Sequence, residues 1–401
     1  MTFGPLRSFQ PWAGALWGRG WRVFFLLAGA FGGVFVPVWL AVLAGRAAPP
    51  PWLSPLAWHA HEMVFGLVAA AVAGFLLTSV PVWTASAPVT GGRLALLAGL
   101  WLAGRAAVAA AGVLPAWLVA AADLAFLPAL LVAVGRPIVA SRNRRNYGFP
   151  LGLGALVIAN ALVHTQALAP RAASSDRGLR LGVYLVVLFI TVIGGRIVPA
   201  FTANALRQEG REPRVRARPW LERSAAPAVA LFALCDLAGA PPLASGAAAL
   251  AAAGLLALRM SGWDSLRTGG DPLLWSLHLG YAWLPAGLAL AGLAALGAGV
   301  PRSTALHGLT AGAMGTMILA VMSRVALGHS GRALAAPRAM TAAYLLVTLG
   351  ALLRTAGPLL APEHTFATVQ LAGILWAGAF LAFLIVYAPI LTAPRSDGRP
   401  G

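Results

Sequence analysis

Apolar runs of about twenty residues recur from one end of this 401-residue chain to the other. At 1.5 Å per residue, a helix of that length crosses the hydrocarbon layer of a bilayer. Such runs fall near residues 23–45, 57–82, 91–111, 113–134, 149–168 and 179–200, and again near 219–238, 240–259, 272–297, 304–326, 337–357 and 365–391. Lipid offers no hydrogen-bond partners, so each run must satisfy its own backbone by coiling into a helix. The chain therefore reads as all-α, a polytopic transmembrane bundle of about twelve membrane-spanning helices. A soluble alternative fails on composition. Only 10% of residues are charged, against roughly 25% in soluble domains, and mean hydropathy is +0.80.

The formal net charge of +18 would suggest nucleic acid in a soluble protein. Here every basic residue is an arginine, and most sit in short segments between apolar runs. With twelve spans, nineteen arginines fall on the side that holds both termini, among them Arg7, Arg19, Arg22, Arg142, Arg214, Arg259 and Arg332. Five fall on the other side: Arg46, Arg171, Arg177, Arg180 and Arg302. The positive-inside rule then puts both termini in the cytoplasm and leaves no role for nucleic acid. Merging any two runs into one span would scramble this asymmetry, which supports the even count. The chain reads as one membrane domain, 1–401, dividing into six-helix halves at 1–201 and 219–401. The basic cytoplasmic loop 202–218 joins them and faces anionic lipid headgroups. The single cysteine, Cys235, excludes an intrachain disulfide, an Fe–S cluster and covalent c-type haem attachment. The first run is too long for an ordinary signal peptide and reads as a signal anchor.

Histidines supply the candidate chemistry. The segment Trp58-His59-Ala60-His61-Glu62-Met63 opens the second span, where ionisable groups are costly and usually functional. Topology puts His59 and His61 at the outer end of that helix, His164 near the outer end of the fifth, and His307 at the outer start of the tenth. Four imidazoles thus share one leaflet and are candidate haem or copper ligands. His59 and His61 are two residues apart, about 200° around a helix, so both point at one centre only if the helix starts between them. Glu62 lies on the face of His59 as a partner for an imidazole N–H, and Asn160 lies one turn before His164. His278 and His329 fall at the inner side with Arg196, Arg324 and Arg332. That basic group suits an anion such as a haem propionate or a lipid phosphate. Arg105 and Asp123, on adjacent spans, are placed to pair. His364 lies in an exterior loop and reads as solvated. Gly308 and Gly312 form a GxxxG on the tenth span, expected for close helix packing.

These motifs resemble the NnrS family. The matching stretches are WHAHEMVFG from Trp58, GFLLTSVPVWT from Gly74, GGRIVPAFTAN from Gly194, PLLWSLHLGYAWLPAGL from Pro272 and ALHGLTAGAMGTMILAVMSRVALGHSGR from Ala305. One departure is Val82-Trp83-Thr84-Ala85, where the family usually carries Asn-Trp-Thr-Gly. The resemblance implies a multi-pass protein of the bacterial inner membrane, tied to the nitric oxide response, that contains copper and non-covalent, b-type haem. Nitric oxide or a derived species is then the ligand, and an electron-donor protein a partner. Two other readings stay open. One is a membrane NO reductase or oxidase of the haem-copper type, though that family's adjacent His-His and His-Pro-Glu are missing. The other is a secondary transporter of metal, haem or an NO-derived complex, suggested by six helices plus six.

Overall fold

The computed structural model describes residues 11–399; Arg7, counted above among the inner charges, lies outside them. Twelve long helices follow a short helical segment at Pro11–Leu16. The first six are α1 (Gly20–Leu43), α2 (Pro55–Thr84), α3 (Gly91–Ala109), α4 (Ala116–Ala140), α5 (Gly148–Leu168) and α6 (Ser175–Gln208). The second six are α7 (Pro219–Leu237), α8 (Pro242–Met260), α9 (Pro272–Ala295), α10 (Arg302–His329), α11 (Arg338–Leu360) and α12 (Thr365–Thr392). No β-strand occurs among the described residues. Eleven of the twelve are long and apolar enough to cross a membrane. The other, α7, carries Glu222, Arg223 and Asp236. Its acids are satisfied by neighbours: Glu222 pairs with Arg259 of α8, and Asp236 with Arg180 of α6. This is how intramembrane charge is ordinarily tolerated.

Consecutive helices pack as antiparallel neighbours, and α1 returns against α12 to join the two ends of the chain. The most enclosed spans are α2 and α10, with 72% and 67% of their apolar windows buried, against 33% for α5 and α11. Those two therefore form the middle of the bundle. Both are irregular in the same way: α2 is π-helical over Glu62–Val68 and α10 over Gly308–Met314, each stretch starting next to a histidine. Wide turns of this kind are rare and frequent at functional sites. They rotate the side chains that follow relative to a regular helix.

Hydrophobic transfer gives no driving force between helices in lipid, so close packing must do the holding. Gly312 lets α10 lie against the Trp283 ring, where an added Cβ would come within 2.4 Å. Gly308 approaches Gly287 backbone to backbone, so the GxxxG packs α10 on α9 as expected. The Gly194-Gly195 pair has the same kind of cause. Gly195 leaves room for the buried Arg259 guanidinium, which donates to the Thr191 carbonyl (2.8 Å) and the Tyr281 hydroxyl (3.1 Å).

Two arginines counted as inner-loop charges are interior instead. Arg259 is one. Arg22 is fully buried and donates through Nη1 to the Leu391 carbonyl (3.0 Å), among those of the last turn of α12. A cation there complements the negative end of the helix dipole. Helix α6 also runs to Gln208, so the joining loop is 209–218 rather than 202–218.

Candidate metal centre

Helices α2, α3, α4 and α5 converge on one carboxylate, Asp123 of α4. His61 of α2 and His164 of α5 bring their Nε2 atoms to 3.2 and 2.8 Å from Asp123 Oδ2. The Asn160 amide, one turn before His164, donates to the same oxygen (2.8 Å). Arg105 of α3 spans the other side, donating to Asp123 Oδ1 and to Glu62 Oε1. Glu62 in turn accepts from Nδ1 of His61 at 2.9 Å. All of His61, Glu62, Asp123, Asn160 and His164 are buried. Trp52, from the loop after α1, closes the outer side with its ring 4.7 Å from that of His61 and 5.0 Å from that of His164. Water is thereby kept from the carboxylate.

One donor atom each from His61, Asp123 and His164 lies within 4.8 Å of the others, the one such group among the described residues. Two imidazoles and a carboxylate suit a borderline transition-metal ion. His61 Nδ1 faces a carboxylate, so it carries the proton. Its Nε2 faces only acceptors, Asp123 Oδ2 and Asn160 Oδ1 (3.0 Å). The Asn160 orientation is set by the donation of its amide nitrogen to Asp123. Such an Nε2 needs a cation: either a second proton or a metal ion held by its lone pair. Charge agrees. Two carboxylates against one guanidinium leave the cluster one positive charge short of neutrality. A carboxylate holding the far N–H of an imidazole is also the usual support of a metal-bound histidine.

His59 and His307 are not part of this group. His59 faces the opposite side of α2, as its 200° separation from His61 requires, and stacks on Trp39 at 4.4 Å between ring centroids. Its Nδ1 is buried without a partner. With His307 it lines a separate chamber of about 190 Å³ at the bundle centre, walled by Val36, Met63, Trp376 and residues of both π-helical stretches. His307 donates from Nδ1 to the Ser303 carbonyl (2.7 Å), which leaves its Nε2 lone pair free. The expected four-histidine outer site is thus two sites. The expected support of His59 by Glu62 is corrected likewise: the Glu62 carboxylate accepts from its neighbour His61, while the His59 Nδ1 is unpartnered.

The inner residues also separate. Both ring nitrogens of His278 are taken by hydroxyls, those of Thr202 and Ser265 at 2.8 Å each. Arg196 donates to Asn146 (3.0 Å). Only Arg324 and His329 share a cavity, with Phe201 under the Arg324 guanidinium at 4.4 Å. Arg332 turns elsewhere, its Nη1 buried and unpartnered. Arg324 is seventeen residues along α10 from His307, about 25 Å by helical rise. A cofactor held by the outer histidines does not reach it. The residue that sequence reasoning undervalued is Asp123. Its pairing with Arg105 was legible, but nothing local marks it as the hub of two imidazoles.

An integral-membrane helical bundle with a buried nitrogen-and-oxygen ligand set is the class that fold and site define. The chain belongs to the NnrS family, whose match covers residues 15–395. No curated protein matches the sequence.

Proposed function

We propose that this protein is a metal-binding protein of the nitric oxide response in the bacterial inner membrane, with copper held by His61, Asp123 and His164. The observation that carries the reading is the buried triad, whose donor atoms lie within 4.8 Å of one another and whose environment is one positive charge short. Copper held by these three residues would meet that charge and supply a centre able to bind nitric oxide. The chain's own groups do the rest. Glu62 holds the His61 ring in the tautomer that frees Nε2, Arg105 fixes both carboxylates, and Asn160 occupies the remaining lone pair of Asp123. Trp52 covers the site against water, which strengthens each of these interactions.

For haem, the chamber offers His59 and His307 with a ring nitrogen free on each. Its volume of about 190 Å³ falls short of the roughly 300–1,000 Å³ typical of drug-sized ligands. The walls do not fit a macrocycle without parting. One observation favours transport as a second reading: the chamber is lined by helices of both halves, as carrier sites are.

Metal analysis of the purified full-length protein tests the main reading. About one copper per chain is expected, lost in His61→Ala and His164→Ala, with an optical or magnetic response to added nitric oxide. Copper retained in both variants would overturn it.

A further inference from the structure

Most arginines inside the bundle are held: Arg22 donates to a carbonyl at the end of α12, Arg324 lies over the Phe201 ring, and three more meet carboxylates. Arg105 meets Glu62 and Asp123, Arg180 meets Asp236, and Arg259 meets Glu222. Arg354 of α11 is different. It lines the central chamber beside His59 and His307, six residues before its helix ends. No carboxylate lines that chamber. Among the described residues the acids are engaged elsewhere or exposed, and no side-chain or backbone acceptor takes a hydrogen bond from Arg354. An unpaired guanidinium within a membrane-spanning helix is costly. Arg354 is half-buried and lines the cavity wall beside two imidazoles, which points to a function.

We infer that the chamber binds a small monovalent anion, held by the Arg354 guanidinium with a ring nitrogen of His59 as second donor. Size and wall chemistry select the class. At about 30 Å³ per water, 190 Å³ holds only a few non-hydrogen atoms plus residual solvent. Apart from Arg354 and the two imidazoles the walls are largely aliphatic and aromatic, with Val36, Leu40, Trp39 and Trp376 among them. Sulfate or phosphate would leave most of its hydration unreplaced there. A weakly hydrated monoanion such as nitrite, azide or a short carboxylate gives up less and still neutralises the arginine.

The approach is charged to match. Leu306 forms part of the chamber wall and also lines an outer cavity of about 440 Å³ holding Arg177, Arg180 and Arg302 against the single carboxylate Asp236. That excess of positive charge concentrates anions on the far side of one leucine from the chamber. The cavity itself is structural in part, since Asp236 is held by Arg180 (2.8 Å), Arg302 (2.6 Å) and the Tyr184 hydroxyl (2.7 Å).

The test uses azide, whose infrared stretch reports its surroundings, on full-length protein in nanodiscs after chelator treatment. Removing metal first separates this inference from the copper reading: either can fail alone. Expected is a saturable band distinct from azide in water, competed by nitrite and formate but not by sulfate. Arg354→Gln should weaken binding at least tenfold, Arg354→Lys less, and His164→Ala not at all. An unchanged melting temperature in Arg354→Gln would show that the variant is folded. A missing bound band in the wild type, or equal binding in Arg354→Gln, overturns the inference. Competition by sulfate as strong as by nitrite overturns the ligand class.

Discussion

One turn of α2 serves two regions of opposite character. On one face His61 enters a dense polar network, where four helices supply two carboxylates, a guanidinium and an amide. On the other face His59 looks into an apolar chamber with its Nδ1 unpartnered and a lone arginine nearby. The first region pairs both carboxylates and the amide, and its His61 Nε2, facing only acceptors, calls for a cation. The second has too few partners and calls for an anion. Spacing of two residues is enough to divide a histidine pair between two chemistries.

Replacing Asp123 should break the comparison most severely. Asp123→Ala leaves Arg105 half-paired and two imidazoles without their shared acceptor. Removing one partner of a buried ion pair costs about 3–5 kcal/mol, so the melting temperature in detergent should fall sharply and copper should be absent. Near-wild-type stability would mean that the polar network is looser than its geometry indicates. Glu62→Gln is the next largest change. It keeps the shape but weakens the hold on His61 Nδ1, and copper affinity should drop about 10–100-fold by competition with a chelator of known affinity. A drop of that size in His59→Ala as well would merge the two regions into one. The smallest effect is expected for His59→Phe, which keeps the stack on Trp39. Copper content should be unchanged and stability altered by about 1 kcal/mol or less, within the range of volume-conserving swaps.

Much of the scaffold was legible in the sequence because lipid imposes a length rule. All twelve runs became helices, and even the charged α7 was readable, since its flanking arginines demanded an even count. That His61 and His164 share one end of the bundle followed from the same topology. What could not be read was azimuth. The 200° between His59 and His61 was calculable, but which face met α4 and α5 depends on how helices distant in sequence pack. The π-helical turns were invisible too, because no residue pattern in Glu62–Val68 or Gly308–Met314 announces a wide turn. They supply several walls of the cavity that His59 and His307 share. Arg354 was legible only as an intramembrane charge; its lack of a partner is a property of the packed bundle.

The bridge between Arg105 and Asp123 also bears on how the chain is made. Emerging from the ribosome, α3 presents the membrane with a cation and α4, a few residues later, with an anion, each unfavourable in hydrocarbon by itself. As a hairpin they cancel, so entry of the two as a unit is favoured over entry in sequence. The contact that later fixes the ligand carboxylate would already be in place before α5 delivers His164.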